Sequence, residues 1–285
     1  MKIQNVNVKI AAGIVLYNPE VKRLEENISA IKPQVEKLIL VENGSANTDY
    51  LDSMDKDDIE IIRNRKNEGI AYALNQICHY CKDNGFDWVL TLDQDSVSDA
   101  RLVDNLIPFI GKDVGIVCSH IIDRNYTLST DTIEYDVRQV GGCFTSGSLT
   151  NIEAWERVGG FDNQMFIDMV DFDFNYLLQE NGYKILQVRK ATILHELGTD
   201  PRVIKKNGEE ILLLNRSPFR YYYVARNTVY MKRKHHIGNY KGIIMENIRL
   251  FSPILRYESN KIKNFIVFVK GTIDGFRMPL PGNRN

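Results

Sequence analysis

Two aspartates one residue apart, Asp93 and Asp95, close the apolar run Trp88-Val89-Leu90-Thr91-Leu92, and Ser96 follows them. Carboxylates this close repel each other unless a cation is shared between them, and hard divalent cations take oxygen ligands. A metal that also holds a diphosphate is one chemistry such a pair serves. A helix cap or a plain turn is the other reading, because aspartate is a common turn former. The run in front of the pair decides where it stands. An unbroken apolar stretch fits a strand buried in a parallel sheet, and ligands of open α/β sheets sit outside the carboxyl ends of the strands. Asp93 and Asp95 are therefore expected at the rim of a site.

Further acids follow at Asp168, Asp171 and Asp173, behind Gly159-Gly160-Phe161-Asp162. From Asp171 the spacing is helical, with Phe174, Leu177 and Leu178 on the core side and Asn181-Gly182 as the stop. An aspartate at a helix start is stabilised as an anion by capping and by the helix dipole, a structural role that is compatible with catalysis. Asp173 is expected to be a solvated or packing group. His195 ends the run Ile193-Leu194-His195-Glu196, where a buried histidine bonded to backbone is the plain alternative to a ligand.

The elements that must hold these residues alternate at short intervals. Strands are expected at Val8 to Leu16, Leu38 to Val41, Ile59 to Ile62, Trp88 to Leu92, Val114 to Cys118 and Ile185 to Val188. Helices are expected after Pro19 through Ile31, from about Ile70 to Lys82, over Ala100 to Ile110, over Ile152 to Val158 behind an Asn151 cap, and from Asp171. This order predicts a Rossmann-like, mostly parallel sheet with helices on its faces. The strands end in polar residues: Tyr17-Asn18, Glu42-Asn43-Gly44-Ser45, Asn64 to Gly69, and Asp93-Gln94-Asp95. Such clustering fits a nucleotide-binding half. A GxGxxG fingerprint and a Walker A loop are both absent, which counts against a dehydrogenase and an ATPase. The small residues of Gly141 to Ser148 let backbone approach a ligand or another element.

With 285 residues and 44% hydrophobic content, the chain has enough material for one large core plus an appendage, and 26% charged residues leave no disordered tract. Met1 to Asn7 is polar with no apolar run behind it, and no stretch approaches the ~20 residues of a spanning helix, so a cytosolic protein is expected. Four cysteines at this length do not form a disulfide framework, and Cys78-His79-Tyr80-Cys81 falls within a helix, where buried thiols are the reading. From Arg216 onward, 14 Lys and Arg stand against 3 acids, a balance of +11, so the remainder carries −12 of the net −1. A basic tail on an acidic body points to an anionic partner or to a twin subunit. Between Tyr240 and Arg277 apolar residues such as Ile248, Phe265 and Val269 alternate with lysines and arginines, which suits an interfacial helix on anionic lipid, with a helical dimerisation element as the competing use. No recognition motif accompanies the charge, so no nucleic-acid partner is expected. Tyr221-Tyr222-Tyr223 reads as packing.

Several stretches, in order, resemble family 2 glycosyltransferases of the GT-A fold, and within them bacterial rhamnosyltransferases. They are Val15-Leu16-Tyr17-Asn18-Pro19, Val41-Glu42-Asn43-Gly44-Ser45, Asn67-Glu68-Gly69-Ile70-Ala71 with Asn75, Leu92-Asp93-Gln94-Asp95-Ser96, Thr145-Ser146-Gly147, Gly159-Gly160-Phe161-Asp162, Phe166 to Asp171, His195, and Tyr222 to Asn227. The resemblance implies inverting transfer of a sugar from a nucleotide diphosphate to an acceptor hydroxyl. It implies that Asp95 binds a divalent metal, Mg²⁺ or Mn²⁺, with Asp93 beside it facing the ribose or the metal's water shell. It implies Asp171 as general base, with Asp168 as the competing carboxylate, and His195 as a group that reaches the metal or the diphosphate. Tyr17, Asn18, Glu42, Asn43, Asn67 and Gly69 would line the nucleotide pocket, and Arg226 would add charge to the phosphates. Glu42 departs from the aspartate usual there, which leaves base selectivity open.

The expected organisation is a GT-A domain over residues 1–215 and a basic, amphipathic helical region over 216–285. The expected activity is transfer of L-rhamnose from dTDP-L-rhamnose to a cell-surface polysaccharide or lipid-linked saccharide, peripherally at the inner face of the membrane. The alternatives are the same chemistry with UDP-galactofuranose, UDP-glucose or UDP-N-acetylglucosamine, and a non-catalytic nucleotide-sugar-binding scaffold.

Overall fold

The computed structural model describes residues 8–52, 54, 58–124, 134–195, 202–206 and 209–282. Met1 to Asn7 and Glu196, used in the sequence reading, lie outside them. The chain divides into two compact units, one of residues 1–166 and 170–196, the other of 167–169 and 197–285.

In the first unit the order is β1 (Ile10–Leu16), α1 (Val21–Ile31), β2 (Lys37–Asn43), β3 (Ile59–Asn64), α2 (Ile70–Asp83), β4 (Trp88–Asp93), β5 (Val97–Ser98), α3 (Leu102–Leu106), β6 (Val114–Asp123), β7 (Val137–Gln139), β8 (Ser148–Asn151), α4 (Ile152–Val158), α5 (Val170–Glu180) and β9 (Lys184–His195). The nine strands form one sheet in the order β3-β2-β1-β4-β8-β6-β9-β5, with β7 also paired to β9. The first four in that order are parallel, as the apolar runs require. Beyond β4 the sheet is mixed rather than mostly parallel: β8 runs antiparallel to both β4 and β6, and β5 and β7 run antiparallel to β9, while β6 and β9 are parallel.

The four parallel strands carry the core. Trp88, Val89, Leu90 and Leu92 of β4 are buried with Ile10, Ile14 and Leu16 of β1 and Leu38 and Leu40 of β2. Each large apolar side chain taken fully from water contributes about 1.5–3 kcal/mol, so the site rests on the best-buried part of the sheet. The order 3-2-1-4 reverses direction between β1 and β4, and a crevice at the carboxyl ends is expected at such a switch point. In the register there, Val15 stands opposite Asp93.

Local chemistry shifts several element ends. α1 begins at Val21 because Glu20, not Pro19, caps it, accepting from the backbone N–H groups of Lys22 and Arg23. The helix expected over Ala100 to Ile110 holds α-geometry only over Leu102–Leu106. It tightens to a 3₁₀ turn at Ile107–Phe109, where Pro108 has no N–H to continue the ladder. β9 is one strand of twelve residues, with a register shift where Ser119 and His120 of β6 pair with it. Asp173 is fully buried, the packing alternative of the two expected for it. Cys78 and Cys81 lie buried on α2 as free thiols.

The second unit contains the hairpin β10 (Arg202–Lys206) and β11 (Glu209–Leu213) and the helices α6 (Pro218–Lys234), α7 (Tyr240–Tyr257) and α8 (Lys261–Arg277). The amphipathic tail is thus two helices, broken where Asn260 turns left-handed at φ 59°. Tyr221, Ala225, Phe251 and Phe268 form their common core. Gly271 and Gly275 let α8 lie against α6: an added Cβ would meet the carbonyl oxygens of Tyr222 and Arg226, each at 2.4 Å. Among the described residues no helix is long and apolar enough to cross a membrane.

Burial pushes the Cys81 thiol up to about 12 and that of Cys78 well above the usual range. At pH 8 the Cys81 thiolate fraction is then on the order of 10⁻⁴, and thiolate is the reactive form. Iodoacetamide at pH 8 should leave both residues unlabelled in the folded chain and label them after unfolding, as read by peptide mass spectrometry. Rapid labelling in the folded chain would contradict the packing of α2.

Candidate active site

The acidic turn is fixed through the backbone of Asp93 and Ser96. The N–H of Asp93 donates to Ser146 Oγ at 3.0 Å, and its carbonyl accepts from Asn27 Nδ2 at 2.8 Å and from the N–H of Ser96 at 3.1 Å. Asn27 is fully buried on α1. Gln94, between the two aspartates, bridges to the end of β1: its Oε1 accepts from the Tyr17 N–H at 2.8 Å and its Nε2 donates to the Tyr17 carbonyl at 3.3 Å. The small-residue segment after Gly141 approaches protein backbone at this point. Thr91 Oγ donates to the Thr145 carbonyl at 2.6 Å, and Gly147, at φ 75°, leaves no room for a Cβ, which would stand 2.1 Å from Ser119 Oγ.

His195 reaches the same place from the end of β9. β5 pairs antiparallel with β9, Val97 opposite Leu194 and Ser98 opposite Ile193, and the next step of that register sets Ser96 opposite His195. His195 is buried, with Nδ1 2.8 Å from Ser96 Oγ and 3.6 Å from Asp95 Oδ1, and Nε2 3.8 Å from Asp93 Oδ2. One ligand atom from each of Asp93, Asp95 and His195 lies within 4.8 Å of the others. Asp95 Oδ1 is buried, with no hydrogen-bond partner among the described residues. A buried carboxylate oxygen left without a donor is costly, and a cation would satisfy it. Two carboxylates and one imidazole fit a divalent ion of the Mg²⁺ or Mn²⁺ kind.

The residues at the other strand ends form a linked rim. Asn18, left-handed at φ 47°, accepts on Oδ1 from the N–H of Ala46 at 2.8 Å, and its own N–H donates to Ser45 Oγ at 2.9 Å. Glu42 is buried, and its Oε1 accepts from the N–H of Ser45. Asn43 Nδ2 meets Asn67 Oδ1 at 3.2 Å, while Asn43 Oδ1 accepts from Asn64 and from the N–H of Glu68. Asn67 Oδ1 also accepts from the N–H of Gly69, the residue that opens α2. Asn43 and Asn67 therefore spend most of their polar atoms on loop shape. Tyr17 is exposed.

Asp171 lies in the first turn of α5 and is half-buried; its Oδ1 accepts from the N–H of Phe172 at 2.9 Å. The residues just before α5 are held in unusual backbone. Phe166, Asp168 and Met169 all have φ near +60°, which costs of order 1–3 kcal/mol each and concentrates at functional sites. The Phe166 carbonyl accepts from the N–H of Ile70 at 2.6 Å, filling one of the open donors at the start of α2.

Within the second unit, Asp168 is clamped. Arg220 donates Nε to Oδ2 at 2.6 Å and Nη2 to Oδ1 at 2.7 Å, and Arg216 Nη1 donates to Oδ1 at 3.1 Å. Asn227 Nδ2 donates to the carbonyls of Ile167 and Asp168 at 2.8 and 2.9 Å. A carboxylate engaged by three guanidinium N–H groups has little capacity left to take a substrate proton. Arg226 sits on α6 with Nε 2.8 Å from Asn227 Oδ1 and its guanidinium 4.5 Å from the centre of the Tyr223 ring.

Sequence reading missed Asn27, Gln94, Ser96 and Ser146 as parts of the site. Ser96 adjoins the acidic pair, and only the pairing of the two-residue strand β5 exposes its role; the contact of Asn27 with Asp93 spans 66 residues.

Residues 12–165 match the family model described as Glycosyl transferase family 2. Over its whole length the chain is similar to dTDP-rhamnosyl transferase RfbF of Shigella flexneri, 26% identical over 299 residues that cover 98% of this chain and 99% of that one. Its fold is similar to that of mannosyltransferase PcManGT from Pyrobaculum calidifontis in complex with GDP-Man and Mn²⁺, with TM-score 0.57, 12% identity, and coverage of 97% of this chain and 77% of that one. It is also similar to the fold of GalNAc-T7 with UDP, GalNAc and Mn²⁺, with TM-score 0.57, 13% identity and coverage of 88% of this chain; the chain spans 58% of that protein.

If the Asp93–Asp95–His195 cluster holds a cation, Mn²⁺ at a hundred times its dissociation constant should stabilise the chain by about 2.7 kcal/mol, several degrees in a thermal melt. Asp95→Asn should remove most of that shift while leaving the metal-free melting temperature unchanged or higher. An equal Mn²⁺ shift in the variant would contradict the assignment.

Proposed function

The chain belongs to glycosyl transferase family 2, and from that premise we propose that it moves L-rhamnose from dTDP-L-rhamnose, with inversion and with a divalent cation, to a saccharide hydroxyl. The acceptor in this reading is a cell-surface polysaccharide or a lipid-linked saccharide. The observation that carries the reading is the cluster of Asp93, Asp95 and His195 at the switch point of the sheet, with the orphan oxygen of Asp95 in it. The choice of donor is supported by the full-length likeness to a protein named as a dTDP-rhamnosyl transferase.

The chemistry follows from charge. When the anomeric bond breaks, negative charge grows on the leaving diphosphate, and a bound divalent cation supplies Lewis-acid stabilisation there. Asp93, Asp95 and His195 would hold that cation. Tyr17, Asn18, Glu42, Asn43, Asn67 and Gly69 would line the nucleoside side. Glu42 lends one carboxylate oxygen to Ser45, which leaves the other for a base edge. The acceptor hydroxyl must lose its proton on the face opposite the leaving group, and one carboxylate within hydrogen-bond reach does this. Of the two candidates, Asp171 is favoured, since the oxygens of Asp168 are taken by Arg216 and Arg220. Asp168 then serves as an anchor.

The helical region from residue 216 is read as a peripheral anchor on anionic lipid. Ile244, Met245, Ile248, Ile262, Phe265 and Ile266 are exposed, and Lys261, Lys263 and Lys270 stand among those of α8. Apolar side chains rimmed by lysine bind anionic bilayers through both burial and charge.

Asp171→Asn should lower kcat by 10²–10⁴-fold, as expected for loss of a general base, with donor affinity within about twofold of wild type. A variant that keeps a tenth of the activity would rule Asp171 out as the base. Flotation with phosphatidylglycerol vesicles should recover the full-length chain, with Ile262→Asp/Phe265→Asp losing most of that binding. If the double variant instead converts a dimer to a monomer with flotation unchanged, the apolar face serves a second copy of the chain.

A further inference from the structure

The metal reading uses one ring nitrogen of His195 and leaves the other unexplained. That nitrogen, Nδ1, is 2.8 Å from Ser96 Oγ. Ser96 Oγ is in turn 2.8 Å from Ser146 Oγ, and Ser146 Oγ accepts from the N–H of Asp93 at 3.0 Å. Ser96 is fully buried and Ser146 nearly so. The four groups form one line, from the ring of His195 through two hydroxyls to the backbone of the acidic turn. It joins three separate parts of the chain: the turn after β4, the segment before β8, and the end of β9.

We propose that Ser96 and Ser146 are positioning residues that set His195 for the metal, Ser96 by accepting its Nδ1–H and Ser146 by accepting from Ser96 in turn. Neutral imidazole has one protonated and one bare nitrogen, and only the bare one can ligate. With its proton directed to Ser96, His195 presents the Nε2 lone pair on the side of Asp93 Oδ2, which is 3.8 Å away. The Ser96 O–H then donates a hydrogen bond to Ser146 Oγ, which also accepts from the N–H of Asp93. A ligating histidine ordinarily donates its other N–H to an acceptor that fixes ring and tautomer, and losing that acceptor typically costs about 10–100-fold in metal affinity. Carboxylate is a common acceptor in that role. Here the nearest carboxylate oxygen, Asp95 Oδ1, lies 3.6 Å from Nδ1, beyond a normal hydrogen bond, and the hydroxyl takes its place. A hydroxyl acceptor adds no negative charge to a cluster that already has two carboxylates. The same pair of serines holds the Asp93 backbone, so both sides of the cluster are set by one buried contact.

The inference rests on the cation reading, and two measurements separate the two. In the first, full-length protein labelled with ¹⁵N-histidine and bound to Mg²⁺ and dTDP is examined by long-range ¹H–¹⁵N NMR, with His195 assigned by comparison with His195→Gln. A proton on Nδ1 is expected; a proton on Nε2 overturns the proposal whatever the metal affinity. In the second, Mn²⁺ affinity is measured by the EPR signal of free Mn²⁺ in the presence of dTDP. Ser96→Ala should weaken Mn²⁺ binding by about 10–100-fold, and Ser146→Ala, which keeps the hydroxyl against the ring, by less. Affinity for dTDP in EDTA should be unchanged in both. Wild-type Mn²⁺ affinity in Ser96→Ala overturns the proposal. Failure of the wild type itself to bind Mn²⁺ overturns the cation reading, and the positioning role falls with it.

Discussion

Mutual repulsion between two carboxylates at the mouth of a buried strand is the constraint around which the first unit is built. Asp93 and Asp95 cannot relieve it by moving apart, because Asn27, Ser146 and Ser96 hold the turn's backbone and Gln94 ties it to β1. Nor do the described residues offer Asp95 Oδ1 a hydrogen bond. A site that fixes like charges and leaves one oxygen unserved is prepared for a cation. The cost is met by the sheet beneath, where β4 is buried between β1 and β8.

The surrounding polar residues differ in how far hydrogen bonds within the protein shape their loops. Asn43 and Asn67 are largely committed to the loop between β3 and α2, and Glu42 turns one oxygen back to Ser45. Asp168 in the second unit is consumed by Arg216 and Arg220. Asp171 retains a half-buried carboxylate at a helix start, where the dipole favours the anion. Residue type alone does not separate these roles; the hydrogen-bond partners do.

Much of the parallel half was legible in the sequence, because strands buried on both faces read as continuous apolar runs, and β1, β2 and β4 do so. The place of the acidic pair at the carboxyl end of β4 follows from the same pattern, whereas the switch point beside it comes from the strand order. The mixed half was not legible. β5 has two residues and β7 three, too short for any periodicity, and β8 is the polar run Ser148–Asn151, buried on both sides. Yet β5 is the element that aligns Ser96 with His195. The clamp on Asp168 also depends on long-range partners, which spacing along a helix cannot register. The short α3 was overcalled because Leu102, Leu106 and Ile110 keep a helical spacing through Pro108.

The central claim is that this cluster binds a cation that assists departure of dTDP from a sugar. Its most direct measurement is dTDP release from dTDP-L-rhamnose by the full-length chain, followed by ³¹P NMR with Mn²⁺ removed by EDTA, then replaced by excess Mg²⁺. The account predicts that release stops in EDTA, returns with Mg²⁺, and is at least tenfold slower for UDP-glucose and UDP-N-acetylglucosamine. Release that proceeds undiminished in EDTA would contradict it.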